Sequence, residues 1–133
     1  MKKWMFLVAI ILTGATGFAQ QASSAADFAV AEFTSQNHDF GKIEQGVPVT
    51  HEFTFVNKGK VPMIITNVQA SCGCTTPDWS RQPVEPGGQG FIKATFNAAS
   101  VGGFTKSVTI TANTETGYIQ LMIRGEVIAG PQQ

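Results

Sequence analysis

Charge is what this sequence has least of. Only 14% of the 133 residues are charged, with nine basic and nine acidic side chains, whereas soluble domains usually carry about a quarter. No basic stripe runs along the chain, so the electrostatic footprint of a nucleic-acid-binding protein is missing and we expect no nucleic-acid partner. The chain also lacks a Gly-x-Ser-x-Gly motif and a glycine-rich phosphate loop, which argues against hydrolases and nucleotide-binding enzymes. We therefore expect a protein with no catalytic activity of its own.

A sustained 3.6-residue apolar period is absent as well, which argues against helices. Ten phenylalanines and many β-branched residues favour strands, and 14 glycines suit a chain with many turns. Apolar and polar residues alternate along 49–56, 91–97, 104–112 and 118–127. About seven short strands, spaced roughly 8–12 residues apart, are typical of a β-sandwich. The sequence thus predicts an all-β fold, an immunoglobulin-like antiparallel β-sandwich.

The pattern also suggests which strands pair. Residues 49–56 and 62–70 flank a stretch, 57–60, whose composition is that of a turn, and we expect the two strands to form an antiparallel hairpin. Residues 71–90 break the alternation and are expected to form a long connection, a feature often tied to function.

Long hydrophobic runs are confined to the N-terminus. Residues 4–12 are apolar, follow Lys2 and Lys3, and precede the small residues around Ala19. The run is too short to span a bilayer, which needs about 20 apolar residues, and its layout is that of a secretory signal peptide over 1–19. We predict a periplasmic or extracellular protein with no membrane span after cleavage, organised as a flexible linker over 20–30, a sandwich domain over 31–128 and a tail over 129–133.

Cysteine is scarce, and the two that occur, Cys72 and Cys74, are separated only by Gly73. Exported cysteines are usually oxidised, which favours a disulfide between them. Positions i and i+2 of a strand lie roughly 6.6 Å apart, so the backbone must turn at Gly73 to bring both sulfur atoms together. Two thiolates also suit Cu(I). The predicted hairpin would place His51 across from about Val68, near the motif, so Cys72, Cys74 and His51 are candidate ligands of a copper site.

A third interpretation of the cysteine pair is a reversible redox couple. Such a couple usually has a thiolate stabilised by a nearby helix N-terminus or cation, and the nearest cation in the sequence is Arg81. The disulfide, metal and redox interpretations all stay open at this point.

Trp79 is the remaining candidate site residue. It lies among polar and turn residues, away from the alternating strands. It is either an exposed aromatic anchor for a partner or a lid over one end of the core, since large aromatic side chains are mostly buried on average.

Several short motifs, taken in order, resemble one known family. They are His38-Asp39-Phe40-Gly41, the stretch 53–59, Ser71-Cys72-Gly73-Cys74-Thr75, Pro86-Gly87 and the stretch 123–127. This order resembles the DUF1573 proteins, a family of exported bacterial immunoglobulin-like domains, and is more loosely similar to the ASPM/SPD-2/Hydin-type sandwiches. The resemblance covers roughly residues 33–127. It implies a fold and an exported location, and it implies no reaction.

These observations favour a binding or assembly module of the bacterial cell envelope. Sandwiches present edge strands and end loops through which they recruit other proteins, and the expected partner is an envelope or secreted protein. The alternative is a periplasmic copper-handling protein or a thiol-redox accessory protein that uses Cys72 and Cys74.

Overall fold

The computed structural model describes residues 27–130, and all regular structure in that range is β. Eight strands follow one another: β1 (Ala31–Phe33), β2 (Asn37–Glu44), β3 (Val49–Asn57), β4 (Ile65–Ala70), β5 (Thr75–Trp79), β6 (Gln89–Phe96), β7 (Gly102–Ala112) and β8 (Tyr118–Ile128). The all-β prediction is confirmed. The strand count is one higher than predicted because β5 lies inside the segment 71–90, which we expected to be a long connection.

The strands form two four-stranded sheets, ordered β1-β3-β6-β5 and β2-β8-β7-β4. Neighbouring strands are antiparallel except β2 and β8, which run parallel. The predicted hairpin is wrong, because β3 pairs with β1 and β6 whereas β4 pairs with β7 in the other sheet. Residues 58–64 do not turn back on β3. They cross between the sheets, and Met63 forms a bridge with Val84 instead.

A buried asparagine explains why the turn-like composition after β3 does not make a hairpin. Asn57 is fully buried. Its Oδ1 accepts hydrogen bonds from the N–H of Val30 (3.2 Å) and Gly59 (2.9 Å), and its Nδ2 donates to the carbonyls of Val61 (2.8 Å) and Val84 (2.9 Å). The hydrogen-bonding capacity of the amide is thereby filled, as a buried polar group requires. The side chain holds residues 58–61 as an arch over the end of the sandwich.

The core is the space between the two sheets, and the alternating segments supply it. Phe53, Phe55, Ile92, Ile110 and Leu121 are among its fully buried side chains. Each lies at an inward position of its strand, as the period-2 pattern predicts. Burying a side chain of this size stabilises the folded state by about 1.5–3 kcal/mol. The inward positions that the sequence assigns in β3, β6, β7 and β8 are therefore confirmed.

The packed domain begins earlier than the predicted boundary at residue 31. Ala29 is fully buried, and its N–H donates to the carbonyl of Asn113 (3.0 Å). Residues 29 and 30, which the predicted linker 20–30 includes, therefore pack with the domain. The predicted signal peptide over 1–19, the rest of that linker and the last three tail residues lie outside the described residues. No helix long and apolar enough to cross a membrane occurs in the range 27–130.

Candidate functional site

Cys72, Gly73 and Cys74 link β4 to β5 and carry the chain from one sheet to the other. The two sulfur atoms lie at disulfide-bonding distance, and the Cα atoms are 5.3 Å apart. That separation is within the range that disulfides adopt, about 4.4–6.8 Å. The backbone thus makes the turn at Gly73 that a bond between the two cysteines requires.

Hydrogen bonds to both sheets hold the two arms of this link. On the β4 side, the N–H of Ser71 donates to the carbonyl of Ser107 on β7 (2.9 Å). On the β5 side, the N–H of Asn97 donates to the carbonyl of Cys74 (2.9 Å). Within the link, the N–H of Thr75 donates to the carbonyl of Cys72 (3.4 Å). The position of the cysteine pair is therefore set by the backbone of the sandwich and not by the disulfide alone.

Cys74 also lines a cleft between the sheets, of about 220 Å³. The apolar wall of the cleft includes Phe96 and Phe104, whose rings stack with centroids 3.9 Å apart. Lys106 lines the same cleft. Lys106 is far from Cys74 in the sequence, so the neighbours of the cysteines along the chain do not reveal this cation. A signal was present, since Lys106 occupies an even, inward position of β7 that Val108 and Ile110 share.

His51 lies elsewhere. It faces Ala94 on β6, and Pro77 of β5 pairs with that same Ala94 from the other side, so β6 separates His51 from the strand that follows the cysteines. Its ring stacks instead on His38, with centroids 3.6 Å apart. The approach of His51 to the cysteines rested on the hairpin, and the observed pairing removes that basis. Within residues 27–130 no group of three or more His, Cys, Asp or Glu side chains is placed to hold a metal ion.

The stacked histidines bridge the two sheets between β2 and β3. Partial burial lowers the pKa of His51 below its ordinary value of 6.5, and the neighbouring charge of His38 lowers it further, while Glu52 acts in the opposite direction. The ring of Phe53 meets His51 edge-on, and the ring of Phe40 meets His38 edge-on. The pair is therefore held in apolar surroundings that favour the neutral form of His51.

Trp79 is half-buried at the end of β5, where it packs against the core. The guanidinium carbon of Arg81 lies 3.6 Å from the centroid of the indole ring, within the range of a cation–π contact. This packing is what a lid over the core requires. Part of the ring stays accessible, so a role for Trp79 in contacting a partner stays a prediction.

Each sheet has two edge strands, and three of the four are blunted. β1 has only three residues, and β2 carries three charged residues and a bulge between Asp39 and Lys42. In β5 the bonds of Cys74 and Ser80 to β6 show that even-numbered residues face the ladder, so odd-numbered Pro77 faces away from it. Proline has no N–H to donate there. Charge, bulges, short strands and proline are the devices by which natural edge strands avoid unwanted pairing.

The fourth edge strand, β4, has none of these devices along residues 68–70. Its sequence, Ile-Thr-Asn-Val-Gln-Ala, carries no charge and no proline, and its one irregularity lies at its start, between Ile65 and Asn67. The bond from Ser71 to Ser107 fixes the alternation, so Gln69 bonds to β7 while Val68 and Ala70 point their N–H and C=O groups away from the sheet. Among the described residues, these outward groups of Val68 and Ala70 have no hydrogen-bond partner.

Solved structures with the same architecture come from unrelated settings. A protein of unknown function from Porphyromonas gingivalis W83 has a TM-score of 0.68 at 19% identity, over 81% of this chain and 51% of that one. The ASH/PapD-like domain 7 of human CEP192 has a TM-score of 0.63 at 10% identity, over 76% and 87%. The secreted serine protease VesC from Vibrio cholerae has a TM-score of 0.59 at 14% identity, over 77% and 24%.

These likenesses concern the fold alone, and they confirm the immunoglobulin-like sandwich. This chain spans about half the length of the Porphyromonas gingivalis protein. A search of the curated proteins gives no match. The family model for DUF1573, described as a protein of unknown function, matches residues 31–127. This protein belongs to the DUF1573 family.

Proposed function

We propose that this protein is a binding module of the bacterial cell envelope, and that it takes up an extended segment of a partner protein by strand addition at β4. The observation that carries the proposal is the contrast among the edge strands. Three are blunted by shortness, charge or proline, whereas the outward backbone groups of Val68 and Ala70 have no hydrogen-bond partner in the part of the chain that the structure describes. Binding of this kind needs no catalytic group.

Strand addition satisfies those free groups directly. An added strand exchanges backbone hydrogen bonds with the edge, which supply affinity, while its alternate side chains supply specificity. Val68 and Ala70 together offer two N–H donors and two C=O acceptors on one side of β4. Leaving such groups without a protein partner is the liability that edge strands carry. A strand that is kept open in a protein with three blunted edges is therefore a candidate for selective pairing.

The surroundings of β4 indicate the chemistry of the partner segment. β4 contributes no charge, and its exposed side chains on the outer face, Asn67 and Gln69, are neutral amides. We infer an uncharged partner segment rich in β-branched residues, with no proline in its central positions. On the inner face, the neighbouring strand β5 offers Pro77 and the half-buried Trp79. An apolar side chain of the added strand has a surface to cover there, which would give Trp79 the partner-contacting role that the sequence suggests.

The envelope setting rests on the predicted signal peptide, and the proposed partner is another envelope or secreted protein. A photo-crosslinking amino acid placed at Gln69 tests the binding site in cells that make the full chain. The matched control carries the same amino acid at Glu52, an exposed position of β3 in the other sheet. We expect a discrete crosslinked species from position 69 and none from position 52.

A second substitution links the crosslink to the strand edge. Ala70→Pro removes one outward N–H without touching a bond to β7, so it should abolish the crosslink from position 69 in a protein that still folds. A crosslink that survives Ala70→Pro, or equal crosslinking from position 52, would overturn strand addition. A product with twice the mass of this chain would show that β4 pairs with a second copy, which contradicts a different partner protein.

A further inference from the structure

The cysteine pair combines features that a purely structural clip does not need. Cys74 lies on the wall of an open cleft, and Lys106 lines the same cleft. None of the other lining residues is acidic, and Lys106 forms no ion pair with any residue in the described range. The cleft that Cys74 lines therefore also carries a positive charge that is not neutralised by a neighbouring carboxylate.

The second sulfur atom has donors aimed at it. The N–H of Cys74 donates to Sγ of Cys72 (3.3 Å), and the hydroxyl of Thr75 lies 3.7 Å from the same sulfur. The Thr75 hydroxyl is also 4.0 Å from Sγ of Cys74. Hydrogen bonds to sulfur and a nearby cation stabilise a thiolate more than a disulfide. These groups therefore favour the reduced form of the pair and make Cys72 a good leaving group.

The pair also gains little stability from being closed. The two cysteines are separated by two positions in sequence, and the loop-entropy contribution of a disulfide falls as the closed loop shortens. The hydrogen bonds of Ser71 and Cys74 to the two sheets hold the arms of the link whether or not the sulfur atoms are bonded. Opening the disulfide therefore does not require the sandwich to come apart.

We propose that the Cys72–Cys74 disulfide is an exchangeable oxidant for peptide or protein dithiols that enter the cleft. A substrate thiolate attacks Sγ of Cys74, a bond between the two sulfur atoms forms, and the Cys72–Cys74 bond breaks with Cys72 leaving as a thiolate. The second substrate thiol, after losing its proton to water, attacks the substrate sulfur of this mixed disulfide, and Cys74 leaves as a thiolate. The substrate gains a disulfide and loses two electrons, which the protein retains as two thiolates.

Each group that lines the cleft or contacts the disulfide has a role in this exchange. Lys106 attracts the incoming thiolate and then stabilises the thiolate of Cys74. The N–H of Cys74 and the hydroxyl of Thr75 stabilise the thiolate of Cys72. The apolar wall of Phe96 and Phe104 suits substrate cysteines that have apolar neighbours. This proposal is independent of strand addition at β4, because it uses the cleft between the sheets and not the sheet edge.

Equilibration with glutathione redox buffers tests the proposal, with intact mass reporting the oxidised fraction. We expect the wild-type pair to be reduced by glutathione, and Lys106→Gln to shift the equilibrium constant about fivefold toward the disulfide. Lys106→Arg should restore the wild-type equilibrium, and Lys60→Gln, which removes an exposed lysine at the other end of the sandwich, should not change it. A pair that stays oxidised in a large excess of reduced glutathione, or an equal shift from both glutamine variants, would overturn the proposal.

The site of attack has its own readout. The wild-type protein is mixed briefly with glutathione, quenched with acid and alkylated, and the peptide that contains both cysteines is fragmented. Glutathione should be found on Cys74 and the alkyl group on Cys72. The reverse pattern would overturn the assignment of Cys74 as the attacked sulfur.

Discussion

The two edge strands that Cys72-Gly73-Cys74 joins, β4 and β5, present different edges to their surroundings. In β5 the outward N–H of Thr75 is turned onto the carbonyl of Cys72, and Pro77 has no N–H to offer. In β4, one link earlier in the chain, the outward groups of Val68 and Ala70 have no hydrogen-bond partner within residues 27–130, and the strand itself carries no charge. The edge of β5, after the cysteine link, is thus protected against pairing, whereas the edge of β4, before the link, is not. The difference indicates that openness at β4 is a property of that strand and not of the fold.

Two proline substitutions in β4 test the assigned direction of its backbone groups. One of them should have the largest effect of all on the free energy of unfolding. Gln69→Pro removes an N–H that bonds to β7 and should lower the free energy of unfolding by about 2 to 3 kcal/mol. Ala70→Pro removes an outward N–H and should lower it by less than about 1 kcal/mol. Urea denaturation measures both values. Equal losses would show that the alternation along β4 is assigned incorrectly.

Cys72→Ser removes the disulfide from the segment that joins the two edge strands. We expect it to have the next largest effect on the free energy of unfolding. A loop closed between positions two apart contributes about 1.5 kcal/mol through chain entropy, so the variant should lose about that much and should still fold. Thermal or urea unfolding of the reduced wild-type protein provides the matched comparison and should give a similar value. Failure of both proteins to fold would mean that the disulfide holds the sandwich together.

Pro77→Ala gives β5 the N–H that it lacks and makes the two edges more alike. The loss of a proline that fits its backbone should cost at most about 1 kcal/mol. The new donor should also allow weak, concentration-dependent association, which sedimentation equilibrium detects. Pro83→Ala, at an exposed loop position, is the control and should leave association unchanged. No association in the Pro77→Ala protein would mean that the proline does not guard the edge.

On the opposite side of the sandwich, β2 and β3 meet at the stacked histidines. The pH dependence of stability that His51 causes there should be the smallest of these effects. The pKa of His51 is lowered in the folded state, so the unfolded chain binds more protons there. The contribution of His51 to the free energy of unfolding should therefore be fully present above pH 6.5, the pKa of the unfolded chain. It should decline as the pH falls through 6.5 toward the lowered pKa of the folded state. His51→Gln should flatten this part of the stability profile relative to wild type. An unchanged slope would remove His51 as its source.

What the sequence could predict followed from local pattern. Alternation along β3, β6, β7 and β8 gives both the strands and their buried faces, because a strand with one buried face needs only its own residues to show period 2. β5 was not predicted because Pro77 and the nearby Cys-Gly-Cys stretch are typical of a connection between strands. Proline is compatible with a strand only at an edge, and edge positions are not visible in a sequence.

Pairing and the candidate sites could not be predicted in the same way. The hairpin prediction failed because the side chain of Asn57 bonds to Val84, 27 positions away, and nothing near Asn57 signals that contact. In the same way, Cys74 and Lys106 line one cleft only because of how the two sheets stack. The identity of the chemically active residues, Cys72 and Cys74, was readable, whereas their neighbours were set by tertiary structure.

Amide hydrogen exchange at three consecutive positions of β4, with one position of β5 as a control, tests the central claim most directly. In the free protein, Gln69 should exchange slowly because it bonds to β7, whereas Val68 and Ala70 should exchange quickly. When the partner captured by crosslinking at position 69 is bound, Val68 and Ala70 should become protected, and Thr76 of β5, already bonded to β6, should not change. Protection that appears elsewhere while Val68 and Ala70 still exchange quickly would contradict strand addition at β4.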